Sequence, residues 1–246
     1  MPGWSYLTNL TFSSSCRILV LWDTRLLRLD LQFDSCQLVE CLVRAVKVDM
    51  VCSLSFVYGS NSIADHKALW VDMAARDSIN PDFPGIFLGD FNALRFPEDR
   101  CRGCLDWFSS MEECNSGIVG ASLDDLRCSG LRFSWRKENS GVLRKLDRAL
   151  VNSSWLSRFP SSVADFLPFG FSDHTPIIIR VGEGLQSGKL PFKFFNHWAD
   201  YDGFLEVVST TWNEGIFGCK MFQVYQKLKK VKLALRNLHA QVSAHH

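Results

Sequence analysis

Three short polar words constrain this chain more than anything else in it: Gly89-Asp90-Phe91-Asn92, Lys145-Leu146-Asp147-Arg148 and Ser172-Asp173-His174. The first follows Ile86-Phe87-Leu88 and the last follows Phe169-Gly170-Phe171. Polar groups set behind apolar runs fall at the rim of a sheet, where α/β proteins do their chemistry. The set supplies three carboxylates, one imidazole and one amide. Metal-assisted attack of water on a phosphodiester calls for those groups.

A chain of 246 residues can bury one sizeable core, and 47% hydrophobic against 22% charged residues is the balance of a folded protein. The net charge of +1 gives little global attraction for a polyanion, so a nucleic-acid ligand has to be met by local basic clusters. Nine cysteines, scattered and odd in number, do not form a disulfide framework and fit a reducing nuclear or cytoplasmic setting. Cys101-Arg-Gly-Cys104 with Cys114 and Cys128 leaves open either zinc or unpaired thiols. The start lacks a signal-peptide pattern, and no apolar run reaches the ~18 residues of a membrane span.

Short apolar or alternating runs over Ile18–Trp22, Leu26–Phe33, Leu38–Val46 and Met50–Tyr58 predict consecutive antiparallel strands. Helical spacing with Leu69, Trp70 and Met73 predicts a helix over 63–76, stopped at Asn80-Pro81, before a strand at 85–89. Further helices are expected near 105–114, over Leu123–Gly130 with glycine as its cap, and over 153–159. A hairpin is expected from 133–136 and 143–150 around Asn139-Ser140-Gly141, and a strand over 176–181. The pattern implies an α/β (α+β) sandwich of two packed, mostly antiparallel sheets flanked by helices. The expected organisation is a domain over 1–181, a Gly-rich linker over 182–190 and a helical segment over 191–246. In that last segment Met221, Val224, Tyr225, Leu228, Val231, Leu235, Leu238 and Val242 recur at helical spacing among lysines. The resulting basic amphipathic helix is either a solvated face covering a partner or a nucleic-acid reader.

Taken in order, Tyr58-Gly59-Ser60-Asn61, Gly89-Asp90-Phe91-Asn92, Lys145-Leu146-Asp147-Arg148 and Ser172-Asp173-His174 resemble the endonuclease/exonuclease/phosphatase superfamily, the deoxyribonuclease I-like proteins. Pro2-Gly3-Trp4, Leu21-Trp22-Asp23, Leu146 to Asn152, Phe166-Leu167-Pro168 and Pro191 to Asn196 are similar to the endonuclease region of plant LINE-type (non-LTR) retrotransposons. The resemblance implies a four-layer sandwich and a Mg²⁺-dependent nuclease that nicks DNA. His174 would be the base and Asp147 would orient it. Asp90 would handle a proton, Asn92 would donate to phosphoryl oxygens, and Tyr58 and Asn61 would contact the phosphate backbone. Asp173 would ligate or adjoin Mg²⁺.

Two strands of the family pattern, one carrying an asparagine and the next the principal metal-binding glutamate, have no counterpart here. The expectation is therefore an N-terminally truncated, retroelement-derived domain whose grip on Mg²⁺ is weak or lost. The reverse transcriptase that follows in the resembled elements is not expected here, no membrane partner is expected, and the oligomeric state is unspecified. Without the first strands the Pro176–Arg180 strand should lie exposed, or Ser5–Thr11 should fill the gap. Two alternatives stand beside this reading: a non-catalytic nucleic-acid-binding remnant, and a hydrolase of small phosphoesters.

Overall fold

The computed structural model describes residues 3–12, 16–79, 82–102, 108–182, 194, 198–199, 201–218 and 220–243. The chain divides into two compact units, Met1–Gly188 and Lys189–His246. Asn80-Pro81, Cys104 and Cys219 lie outside the described residues, as do the expected linker beyond Gly182 and the 191–196 word except Phe194.

In the first unit, β1 (Trp4–Thr8) and β2 (Leu19–Asp23) form a two-stranded sheet. β3 (Leu27–Asp34), β4 (Leu38–Ala45) and β5 (Val51–Tyr58) then run as an antiparallel meander. Helix α1 (Ile63–Ile79) crosses over, and β6 (Gly85–Asp90) lies parallel to β5. After a short β7 (Arg100–Cys101) come α2 (Phe108–Gly120), β8 (Asp124–Asp125) and β9 (Cys128–Gly130). β10 (Trp135–Lys137) and β11 (Val142–Arg144) form the expected hairpin, with β7 on the outer edge of β11. β12 (Asp147–Val151), α3 (Ser153–Arg158), β13 (Val163–Phe166) and β14 (Ile177–Arg180) complete the unit.

The six strands β3-β4-β5-β6-β12-β8 make one sheet, and its two faces carry two cores. On one face Leu38, Val57, Phe87 and Leu150 pack against Leu69 and Met73 of α1 and Ile118 of α2. On the other, Val39, Cys41, Ile86 and Val151 meet Val20 of β2 and Ala164 and Phe166 of β13. Strand alternation produces this: Val39, Cys41 and Val43 point one way from β4, and Leu38 points the other. Burial in these cores raises the Cys41, Cys52 and Cys114 thiols to about 11, which leaves them inert.

Two expectations change. Leu123–Gly130 is not a helix but the strands β8 and β9, joined by Leu126 and Arg127, and the Leu126 N–H donates to the Ala149 carbonyl at 2.8 Å. Gly130, at φ +86°, allows a close strand approach rather than a helix cap, since a Cβ there would meet the Phe166 carbonyl oxygen at 2.0 Å. The run 143–150 is two strands, because the Ser134 hydroxyl accepts from the N–H groups of Leu146 (3.0 Å) and Asp147 (2.8 Å) and bends the chain between sheets. β11 stays with the hairpin, and β12 enters the six-stranded sheet.

The small sheet β14-β13-β9 ends at β14, and the β1–β2 pair joins no other described strand. Residues 4–8 thus pair with β2 and do not occupy the free edge of β14, the place that the sequence offered for Ser5–Thr11. Tyr6, Leu19, Leu21 and Ile178 stand exposed on the outward faces of these two sheets.

The second unit contains α4 (Phe204–Trp212) and α5 (Lys220–Ser243), packed on each other. Phe194 meets Trp198 edge-on, and the Lys227 ammonium lies 5.6 Å from the centre of the Trp212 ring. Leu235 is buried, whereas Met221, Val224, Tyr225 and Leu228 of the same apolar stripe are exposed. Among the described residues no helix is long and apolar enough to cross a membrane.

Candidate active site

The parallel strands β5 and β6 end side by side, with Tyr58 opposite Asp90, and β12 delivers Asp147 opposite Asp90 from the other side. Gly89 makes this turn possible: it sits at φ +137°, and a Cβ there would meet the Val57 carbonyl oxygen at 2.1 Å. His174 arrives on the loop before β14, bridged to Trp135 of β10. The Ser172 hydroxyl accepts the His174 N–H at 3.0 Å, and the Asp173 carbonyl accepts the Arg136 N–H at 2.9 Å.

Nδ1 of His174 lies 2.8 Å from Oδ2 of Asp147, and Nε2 lies 3.9 Å from Oδ2 of Asp90. Coordinating atoms of these three residues all stand within 4.8 Å of one another. The Asp147 hydrogen bond is the main cause that raises His174 above its ordinary 6.5. Burial, with Asp147 nearby, pushes Asp90 up to about 6, against the N–H that Asn92 donates to Oδ1 at 2.9 Å. A raised carboxyl beside an imidazole makes a proton-handling group.

Of the other residues expected in the site, Tyr58, Asn92 and Asp173 lie around this group, each with partners of its own. Asn92, at φ 48°, donates its side-chain amide to the Gly59 carbonyl at 2.8 Å. Tyr58 receives Arg17: Nη1 donates to the phenol oxygen at 3.4 Å and the guanidinium lies 5.4 Å from the ring centre. Asn61 is exposed in the turn before α1. Asp173 is exposed and outside the three-residue group; its Oδ2 accepts the Trp135 indole N–H at 2.9 Å, the principal reason its carboxyl is held low. Trp135, Ser134 and Arg17 escaped the sequence reading, because only folding brings these residues beside Asp173, Asp147 and Tyr58.

Beneath the site, Arg148 is fully buried on β12 and donates to Asp99 and Asp125. Arg95 reaches Asp125 at 3.0 Å and Asp124 at 3.6 Å, and Lys145 reaches Asp125 at 3.3 Å. Burial opposes charge on Asp125, but Arg148, Lys145 and Arg95 outweigh it and hold the carboxyl at about 2. Three cations against three anions leave this network neutral, and it ties the loop after β6, β8 and β12 together.

The fold has counterparts among solved structures. The endonuclease domain of TRAS1, a telomere-specific non-LTR retrotransposon, superposes with a TM-score of 0.53 at 13% identity, over 76% of this chain and 83% of that domain. An endonuclease/exonuclease/phosphatase protein from Bacteroides vulgatus gives 0.50 at 9% identity, over 74% and 77%. The chain has the endonuclease/exonuclease/phosphatase fold. No family model and no curated protein matches the sequence itself.

The site's carboxylates fit a divalent cation. Asp90 and Asp147 converge, and burial with Asp147's charge added disfavours the ionised form of Asp90, which a bound cation would favour. A hydrated hard cation gripped by one or two carboxylates has the donor set found here.

Proposed function

We propose that this chain is a retroelement-type endonuclease domain acting on DNA phosphodiesters, with weak activity. The observation that carries the reading is His174 held between Asp147 and Asp90 at the end of the parallel strand pair. In this reading His174 donates its Nδ1–H to Oδ2 of Asp147, which leaves the Nε2 lone pair facing Asp90. A water placed between Nε2 and Oδ2 of Asp90 gives its proton to Nε2 as its oxygen approaches phosphorus. Asp90, titrating near 6, is suited to return a proton to the departing oxygen. Asn92 has a second amide hydrogen for a phosphoryl oxygen. With Mg²⁺ bound, Asp90 would be ionised and would hold the ion with Asp147, and the ion, in place of the Asp90 proton, would neutralise the charge that develops on the phosphate.

Weak activity follows from the donor set. Asp147 is already engaged by His174 and Asp173 by Trp135, so among the described residues Asp90 alone of the three accepts only a backbone N–H, that of Asn92, and Mg²⁺ parts reluctantly with its water. The retroelement assignment draws on the sequence words and on the likeness to the TRAS1 domain.

Incubation of purified chain with supercoiled plasmid and Mg²⁺ tests this. Nicking at or barely above background is expected, and any measurable part should fall ~10²–10⁴-fold in His174→Ala. Robust nicking abolished by His174→Ala overturns the weak-activity proposal, and nicking untouched by that change overturns the site.

A second reading, a nucleic-acid-binding remnant, is favoured by the basic, aromatic surface beside the site. There Arg136 lies over Phe169 and Arg144 over Trp135, and Phe171 is fully exposed. Binding of duplex DNA in a mobility-shift assay, unchanged in His174→Ala and with no nicking, would favour it.

A further inference from the structure

A second concavity lies on the six-stranded sheet, on the face that α1 partly covers and at the far end from His174. Its volume is about 310 Å³, and its floor is formed by Glu40, Leu42, Ser53 and Phe87. Arg76, in the last turn of α1, and Phe83, just before β6, form a wall. Ser53 and Gly85 pair at the starts of β5 and β6, five residues before Tyr58 and Asp90. At about 3.3 Å per residue the two sites stand roughly 17 Å apart.

The polar groups of this cavity are unusually placed for a bare sheet surface. The Arg76 guanidinium lies 4.5 Å from the centre of the Phe33 ring, which fixes its plane. Its Nε is buried with no hydrogen-bond partner, and among the described residues Arg76 makes no ion pair. Glu40 likewise makes no ion pair among the described residues; its Oε1 accepts the Ser53 hydroxyl at 2.7 Å, which orients the carboxylate. Arg76 and Glu40, neither in an ion pair among the described residues, therefore share a cavity with Leu42, Phe83 and Phe87, and with Arg44, whose charge is met by Asp30. A planar guanidinium is a fork for phosphate or carboxylate oxygens, and an oriented carboxylate asks for an N–H donor.

We infer that this cavity is a binding site, separate from the candidate active site, for a mononucleotide whose base carries an exocyclic amine. The phosphate lies on the Arg76 fork, the base lies against Phe83 and Leu42, and the amine donates to Glu40. The volume sits at the low end of small-molecule pockets, which suits one nucleotide and excludes a polymer. Glu40 repels any ligand that is anionic at both ends, which sets the polarity of the fit.

The test is isothermal titration of the full chain, with EDTA present, using adenosine 5′-monophosphate, adenosine and inosine 5′-monophosphate. Adenosine monophosphate should bind, and adenosine should bind at least about tenfold more weakly, the worth of a charge-assisted contact. Arg76→Gln should weaken the nucleotide by about ten- to a hundredfold. Glu40→Leu should erase the preference over inosine monophosphate. His174→Ala should leave binding unchanged. Absent binding, equal affinity for adenosine, indifference to Arg76→Gln, or loss in His174→Ala each overturns the inference. If Arg76→Gln melts early, amide shifts in the wild-type chain decide. Shifts at Val51, Ser53 and Gly85 support the cavity, and shifts at Gly59 and Asn92 instead refute it.

Discussion

Replacing Asp90 by asparagine should make this protein more stable and less active, and the size of the first effect can be worked out. Burial raises the Asp90 carboxyl from 3.8 to about 6, with Asp147 adding repulsion. A raised carboxyl pKa means that the folded state favours the neutral form. The ionised side chain therefore costs stability, beginning as pH rises past 3.8 and complete above about 6. A shift of about two units at 1.36 kcal/mol each sets the penalty at about 3 kcal/mol at pH 7. Asparagine has the same shape, keeps an oxygen for the Asn92 N–H, and carries no charge. Urea unfolding of both proteins in EDTA at pH 4, 5, 6, 7 and 8 should show the Asp90→Asn advantage near zero at pH 4 and growing to about 2–3 kcal/mol by pH 7. An advantage independent of pH, or a wild type more stable at pH 7, would refute the reasoning.

Asp147→Asn should bring the His174 pKa down toward 6.5, read by NMR titration of the ring protons, because its hydrogen bond is the main cause of the elevation. The stability from that pair is present below 6.5 and lost as pH rises through the folded value of His174, so the variant should lose most stability at acid pH. Arg148→Met should cost about 3–5 kcal/mol in urea unfolding, since Asp99 would be left without its cation while Asp125 keeps Arg95 and Lys145; a change under about 1 kcal/mol would show the Arg148 pairing to be dispensable. Adding a strand pair complementary to the open edge of β14 should raise the melting temperature and the solubility together, and no change in either would show that β14 needs no partner.

Local rules reached the elements whose causes are local. The meander β3-β4-β5 follows from alternation, α1 from helical spacing, and α3 from Asn152, whose side chain accepts the Trp155 N–H at 2.9 Å as a cap. They failed at Leu123–Gly130, where the deciding partners are Ala149 and Phe166, residues distant in sequence whose carbonyls hold the segment as strand. They failed again at Lys145-Leu146, because the Ser134 hydroxyl that breaks the strand belongs to a different hairpin arm.

The site divides in the same way. Side-chain chemistry is intrinsic to each residue, so the words containing Asp90, Asp147 and His174 offered carboxylates and an imidazole before any contact was known, and the family resemblance supplied the roles expected of them. Which acid meets which ring nitrogen is a matter of register. Tyr58 opposite Asp90 and Asp90 opposite Asp147 come from pairing among β5, β6 and β12, and pairing fixes distances that sequence spacing leaves free. The elevation of Asp90 and the withdrawal of Asp173 onto Trp135 likewise arose from burial and from a partner that only the folded chain brings near. The meander strands, the crossover helix and the reactive groups were legible along the chain, because periodicity and functional-group chemistry are local. The pairing, the protonation and the second cavity came only with folding, because desolvation and Coulomb interactions depend on neighbours in space.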